Sequence, residues 1–86
     1  MDWAKYGHVI ASEYRKKIVL CLNKTPRTPK QTSKETNLYL SHVSRVLKDL
    51  KKRQIVACLT PRLRRGKVFA LTDEGKEIAE NLERTR

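Results

Sequence analysis

The stretch SHVSRVLKDLKKR, Ser41–Arg53, constrains this chain more than any other. Val43, Val46, Leu47 and Leu50 recur at steps of three and four residues, which gathers them on one face of an α-helix. At about 100° per residue, Ser41, Arg45, Lys48 and Lys52 fall on the opposite face, with Ser44 and His42 flanking it. Ser41 is placed to act as the N-cap. A helix divided this way must bury its valine–leucine side and leave a cationic, hydrogen-bonding side outward.

Its neighbours in sequence say what it packs with. Two prolines make NKTPRTP, Asn23–Pro29, a loop. TPKQ then reads as a helix start, with Thr28 as N-cap, Pro29 at the first helical position and Gln31 closing a capping box. That short helix ends near Thr36, where Asn37 suits a left-handed C-terminal cap. Further back, Trp3–Leu22 reads as helical, with Ile10, Tyr14, Ile18, Cys21 and Leu22 as its apolar face and Ser12 as a candidate cap for a break inside it. Trp3 and Tyr6 stand as a separate first turn that packs on the domain or on a partner. Beyond Arg53, IVACLT (Ile55–Thr60) and VFALT (Val68–Thr72) read as two short strands, joined as a hairpin by Pro61–Gly66. Gly66 can supply a positive φ there. Thr72 caps a last helix, Asp73–Glu83, with Asp73 and Glu74 at its positive end and Ile78, Ala79 and Leu82 as its apolar stripe. The expected fold is therefore α+β: a winged helix-turn-helix, with a three-helix core, a two-stranded hairpin wing and a C-terminal helix, in one domain over residues 1–86.

Charge narrows the function. Net charge is +11, from 20 Lys and Arg against 9 Asp and Glu. Residues 41–67 hold nine cations and one acid, Asp49, and so carry eight of the eleven net charges, whereas residues 68–86 hold three cations and five acids. Solubility needs no such segregation; a footprint for a polyanion does. Within it, RLRRGK (Arg62–Lys67) places four cations and no acid on the hairpin connection. An anionic membrane is the weaker choice of partner, because the apolar faces are needed as core. The longest apolar run, Ile18–Leu22, is five residues, which leads us to expect no membrane span or secretory signal and a cytoplasmic location.

Other chemistries find no residues. Cys21 and Cys58 lie 37 positions apart, and His8 and His42 stand alone, so no metal or other cofactor is expected. The cysteines read as small buried hydrophobes, with a redox pair as the lesser alternative. With no glycine-rich phosphate loop, metal cluster or nucleophile–base pair, an enzyme is not expected. One Trp, three Tyr and one Phe are too few for a base-stacking platform.

The ordered set YRKKIVLCL, TP before the short helix, T-N-L at the turn, SHVSRVLKDLKKRQIV and LTDEGKEI resembles winged helix-turn-helix domains. The group meant is the bacterial and archaeal transcriptional regulators that include the MarR and ArsR families, an archaeal member being expected. The resemblance runs from Tyr14 to Ile78. It implies that Ser41–Arg53 reads the major groove and that Val56–Leu71 is the wing, followed by an LT-x-x-G element, here Leu71, Thr72 and Gly75. Two positions depart from the group's pattern: Thr32 and Ser33 replace an aliphatic–alanine pair on the inner face of the short helix, and Asn37 replaces a turn glycine. The Cys-rich metal-sensing motif of ArsR proteins and the extra dimerising helices of MarR proteins are not expected.

On this reading Arg45 is the candidate base reader, since guanidinium pairs bidentately with guanine. Ser41, Ser44 and Tyr39 are candidate phosphate ligands, although Ser41 also reads as a cap and Tyr39 also as core. His42 reads equally as surface or as ligand. Lys48 and Lys52 would meet backbone, unless Lys52 and its neighbours only complement the helix dipole. Arg62, Arg64 and Arg65 suit a narrow minor groove and Lys67 a phosphate; the bland alternative is a solvated loop. Thr28, Lys30 and Lys34 would face backbone across the groove. The expected partner is double-stranded DNA, with a homodimer through Trp3 and Tyr6 or through the last helix. Two alternatives stay open: a winged helix that binds RNA or other nucleic acid without sequence preference, and a protein-interaction winged helix in a larger assembly.

Overall fold

In chain order the elements are α1 (Trp3–Ile10), α2 (Glu13–Lys24), α3 (Pro29–Thr36), α4 (Leu40–Lys52), β1 (Val56–Cys58), β2 (Phe69–Leu71) and α5 (Asp73–Arg84). The computed structural model describes residues 1–85. Ser12 does break the first helical stretch. Its backbone is extended (φ −140°, ψ 126°) and its hydroxyl accepts from the Arg15 N–H at 3.3 Å, so α2 starts afresh. The break shifts the phase between α1 and α2, and this corrects the apolar face. Val9 is fully buried, while Ile10 and Tyr14 are exposed. Tyr6 packs against the core, but Trp3 is 66% exposed, the two rings meeting edge-on at 5.7 Å.

α3 and α4 form the helix-turn-helix. Thr28 and Gln31 close the capping box, at 3.1 and 2.9 Å, and Asn37 takes the left-handed conformation at φ 60°. The polar inner face of α3 is resolved by its own backbone. Thr32, fully buried, donates its hydroxyl to the Thr28 carbonyl at 2.9 Å, and Ser33 donates to the Leu38 carbonyl. A hydrogen bond of this kind offsets the cost of taking a hydroxyl out of water. α4 starts two residues earlier than Ser41 as cap requires. Tyr39 holds the N-cap position without a side-chain bond, and its carbonyl accepts from His42 and Val43 at 3.0 Å. Ser41 thus lies inside the first turn. At the other end Gln54 is left-handed (φ 62°), Ile55 N–H bonds the Leu50 carbonyl at 2.9 Å and Gln54 N–H the Lys51 carbonyl at 3.0 Å. This is a Schellman closure, and it delivers the chain into β1.

β1 and β2 pair antiparallel, Val56 opposite Leu71, Ala57 opposite Ala70 and Cys58 opposite Phe69. The strands are shorter than expected at both ends. Ile55 is spent closing α4, and beyond Leu59 the Thr60 hydroxyl replaces a ladder bond by accepting from Val68 N–H at 2.9 Å. On the open side of β2, Arg27 exchanges two backbone bonds with Phe69, at 3.0 and 2.8 Å, which ties the loop before α3 to the root of the wing. Gly66 is at φ 65°, as the turn requires. Thr72 caps α5 by accepting from Gly75 N–H at 3.1 Å.

The core joins Ile18, Val19 and Leu22 of α2 to Val43, Leu47 and Leu50 of α4, with Ile55, Val56 and Leu71 from the sheet side and Ile78, Ala79 and Leu82 from α5. Val46 is only half-buried. Burying each large aliphatic side chain of α4 contributes roughly 1.5–3 kcal/mol. Like-charge pairs three or four apart on its outer face cost only about 0.2–0.5 kcal/mol each. Packing therefore wins, and α4 can carry a row of cations. Among the described residues, no helix is long and apolar enough to cross a membrane.

Candidate nucleic-acid interface

The cations of α4 point outward because its valine and leucine side is fully used by the core. Arg45, Lys48 and Lys52 are exposed, as are Ser41 and Ser44. Arg62, Arg64 and Arg65 are exposed on the wing connection, and Lys67 is half-buried at its base. Lys30 and Lys34 are exposed on α3, and Thr28 is half-buried at its cap. Chain order separates these groups, but the fold gathers part of them. A cleft of about 520 Å³ runs between the wing, α4 and the start of α3. Its lining combines the polar and cationic Lys30, Ser44, Arg64, Arg65 and Lys67 with the apolar Pro29, Leu40, Leu47 and Phe69, together with Thr28 and Gly66. No acid lines it. Arg62, Tyr39, Ser41, His42, Arg45, Lys48, Lys52 and Lys34 stand outside the cleft, on the same elements.

Electrostatics separates this surface from the rest. Among the described residues, ion pairs join Lys5 to Glu74 at 2.8 Å, Lys16 to Glu13 at 2.6 Å, and Lys24 and Arg27 to Glu35 at 3.7 and 3.5 Å. None of the cations named for the interface takes part in one. The single acid of the basic middle, Asp49, is occupied on the flank of α4. His8 of α1 bonds it, Arg53 reaches it at 3.4 Å and Arg15 at 3.9 Å. Burial pushes the Asp49 carboxyl up, but the His8 hydrogen bond, the His8 charge and the Arg53 contacts together outweigh it and hold the carboxyl below its ordinary range. Asp49, one turn after Arg45, is thus held ionised and paired with His8, Arg53 and Arg15, which offsets the one negative charge beside the cationic face.

Three expectations change. Tyr39 is not core, being 78% exposed. His42 is neither free surface nor a lone ligand. Its ring packs between Tyr14, at 5.3 Å, and Tyr39, at 5.9 Å. His8, which stood alone in the sequence, is the partner of Asp49. Sequence reasoning missed Tyr14, Leu40 and Phe69 as members of this surface. Tyr14 lies 28 residues from His42, and no local signal links them. Both cysteines are free; Cys21 is buried, which pushes its thiol up against the opposing pull of Arg27, and Cys58 is half-buried.

No protein-family model matches the sequence, and no curated protein does. Solved structures share the fold. The adhesin competence repressor AdcR from Streptococcus pyogenes superposes with a TM-score of 0.78 at 23% identity, over 86% of this chain and 56% of that one. Apo ZitR from Lactococcus lactis, as a C30AH42A mutant, gives 0.77 at 15% identity, over 86% and 57%. The MarR family transcriptional regulator SPO1453 from Silicibacter pomeroyi gives 0.77 at 19% identity, over 95% and 61%. This chain spans less than two thirds of the length of each. At these identities the likeness is one of fold: five helices and a two-stranded antiparallel sheet in a MarR-like winged helix.

Proposed function

We propose that this chain is a double-stranded DNA-binding transcriptional regulator, a single winged-helix domain over residues 1–86 that works in the cytoplasm. The observation that carries this reading is the acid-free cleft, which gathers Lys30 of α3, Ser44 of α4 and Arg64, Arg65 and Lys67 of the wing around one concave surface. A duplex phosphate chain relieves the repulsion among them and releases its own condensed counterions. In this reading α4 lies in the major groove, with Arg45 toward base edges and Tyr39, Ser41 and Ser44 toward phosphate. Lys48 and Lys52 follow the backbone. The wing arginines Arg62, Arg64 and Arg65 meet the minor groove or its phosphates, with Lys67 on phosphate, and Thr28, Lys30 and Lys34 face the opposite backbone. The likeness in fold to regulators, among them the adhesin competence repressor of Streptococcus pyogenes, supports the reading.

A homodimer belongs to the same proposal. Trp3 and Ile10 are exposed seven residues apart on α1, which makes them one apolar stripe on a helix whose other side packs inward through Val9. Selection from random duplex DNA near physiological salt tests the reading. An enriched motif is expected. Tight binding with no enriched motif would replace it with a nucleic-acid binder lacking sequence preference.

A further inference from the structure

The aromatic contact between α2 and α4 has a geometry that base reading does not need. His42 tilts by 36° against Tyr14 and stands edge-on, at 78°, against Tyr39. Its Nδ1 is buried and has no hydrogen-bond partner among the described residues. One polar edge of the imidazole is thus enclosed, and what the ring does visibly is pack. Tyr39 differs in every respect. It is 78% exposed, it precedes the first turn of α4, and its side chain caps nothing. Among the described residues, the N–H groups of Leu40 and Ser41 at the same helix start receive no side-chain cap.

From this arrangement we infer that Tyr14, His42 and Tyr39 form a rigid arm that presents the Tyr39 phenol to a phosphate of the bound duplex. His42 is a positioning residue in it and does not read a base. The inference rests on the DNA-binding reading above. Edge-on aromatic packing has a preferred geometry, so the His42 ring restricts where the Tyr39 ring settles. The phenol O–H donates, a phosphate oxygen accepts, and the unpaired N–H groups at the start of α4 favour the same anion. Tyr14 anchors the arm to α2, which extends the interface beyond the helix-turn-helix.

The test is duplex binding by fluorescence anisotropy across a salt series, using the selected duplex or, if none is enriched, a random-sequence duplex. Tyr39→Phe should weaken binding roughly tenfold, the value of one hydrogen bond to a charged group. The salt slope should not move, because a neutral phenol displaces no counterion. His42→Ala should lose a similar factor, His42→Phe should restore what His42→Ala loses, and Tyr39→Phe combined with His42→Ala should lose no more than either alone. The inference is overturned if His42→Phe changes the sequence preference, if the two losses multiply, or if Tyr39→Phe binds as tightly as the unaltered chain. If Tyr39→Ala weakens binding and Tyr39→Phe does not, the ring and not the hydroxyl is used, and the inference also fails. Tyr39→Phe and His42→Phe keep the packed rings and so remain informative if His42→Ala unfolds. An unaltered chain that ignores duplex DNA overturns the DNA-binding reading itself, and this inference with it.

Discussion

At the scale of single residues, Gly75 shows what the LT-x-x-G element is for. A Cβ there would sit 2.2 Å from the Ile55 carbonyl oxygen and 3.2 Å from the Leu71 Cβ. The same carbonyl accepts from the Thr72 N–H at 3.0 Å, while the Thr72 hydroxyl donates to the neighbouring Gln54 carbonyl at 2.7 Å, with the Ile55 oxygen further off at 3.1 Å. α5 therefore crosses the end of α4 at backbone contact, and neither side can yield cheaply. Gly75→Ala should cost about 1–3 kcal/mol, read as a lower denaturant midpoint with all interface charges intact. Asp49 makes a pH-dependent prediction. Its folded carboxyl lies below its ordinary range, so its stabilising contribution is fully present above the unfolded pKa and is lost as pH falls through the lowered folded one. Asp49→Asn should be less stable than the unaltered chain at neutral pH, and the gap should close in acid; a pH series of unfolding midpoints checks this. The caps Thr28, Asn37 and Thr72 were legible because each acts within a few residues of itself. The His8–Asp49 bond spans 41 positions and was not.

At the scale of elements, α4 and the wing divide the proposed work, and their variants should separate. Arg45→Ala should flatten discrimination among duplexes by about 1–3 kcal/mol at the base it reads. Arg64→Ala with Arg65→Ala should weaken binding to every duplex and reduce the magnitude of the salt slope by about two. Both arginines are exposed and without ion pairs among the described residues, so thermal unfolding should not move. A pair of wing variants that binds with unchanged salt dependence would exclude the wing contact. Element order, the helix periods and the glycine at the wing tip were readable because periodicity and turn chemistry are local properties. Where α4 begins was not. Asn37 closes α3 in the left-handed conformation, and the chain re-enters a helix after Tyr39, two residues earlier than a serine cap at Ser41 would need.

At the scale of the whole molecule, charge is sorted by position. The acids of α5 are partly employed in holding α1, Glu74 by Lys5 at 2.8 Å and Glu77 by the chain's amino group at 3.5 Å. Among the described residues, Arg45, Lys48 and Lys52 of α4 and the cations of the wing take part in no ion pair. If α1 is where two copies meet, sedimentation at micromolar concentration should show a dimer, and Trp3→Glu with Ile10→Glu should give a folded monomer. A monomeric unaltered chain would remove the dimer from the reading. The amphipathic faces of α4 and α5, the hairpin with its basic tip and the net charge of the middle third were determined by the sequence itself, since period and charge are properties of neighbours along the chain; the face of α1 and α2 was not, because the break at Ser12 shifts its phase. The tertiary structure alone decided that Lys30 and the wing share one cleft, that Asp49 is silenced by His8, Arg15 and Arg53, and that His42 is held between two tyrosines. Those contacts join residues far apart in the chain, and only burial of the common core brings them within reach.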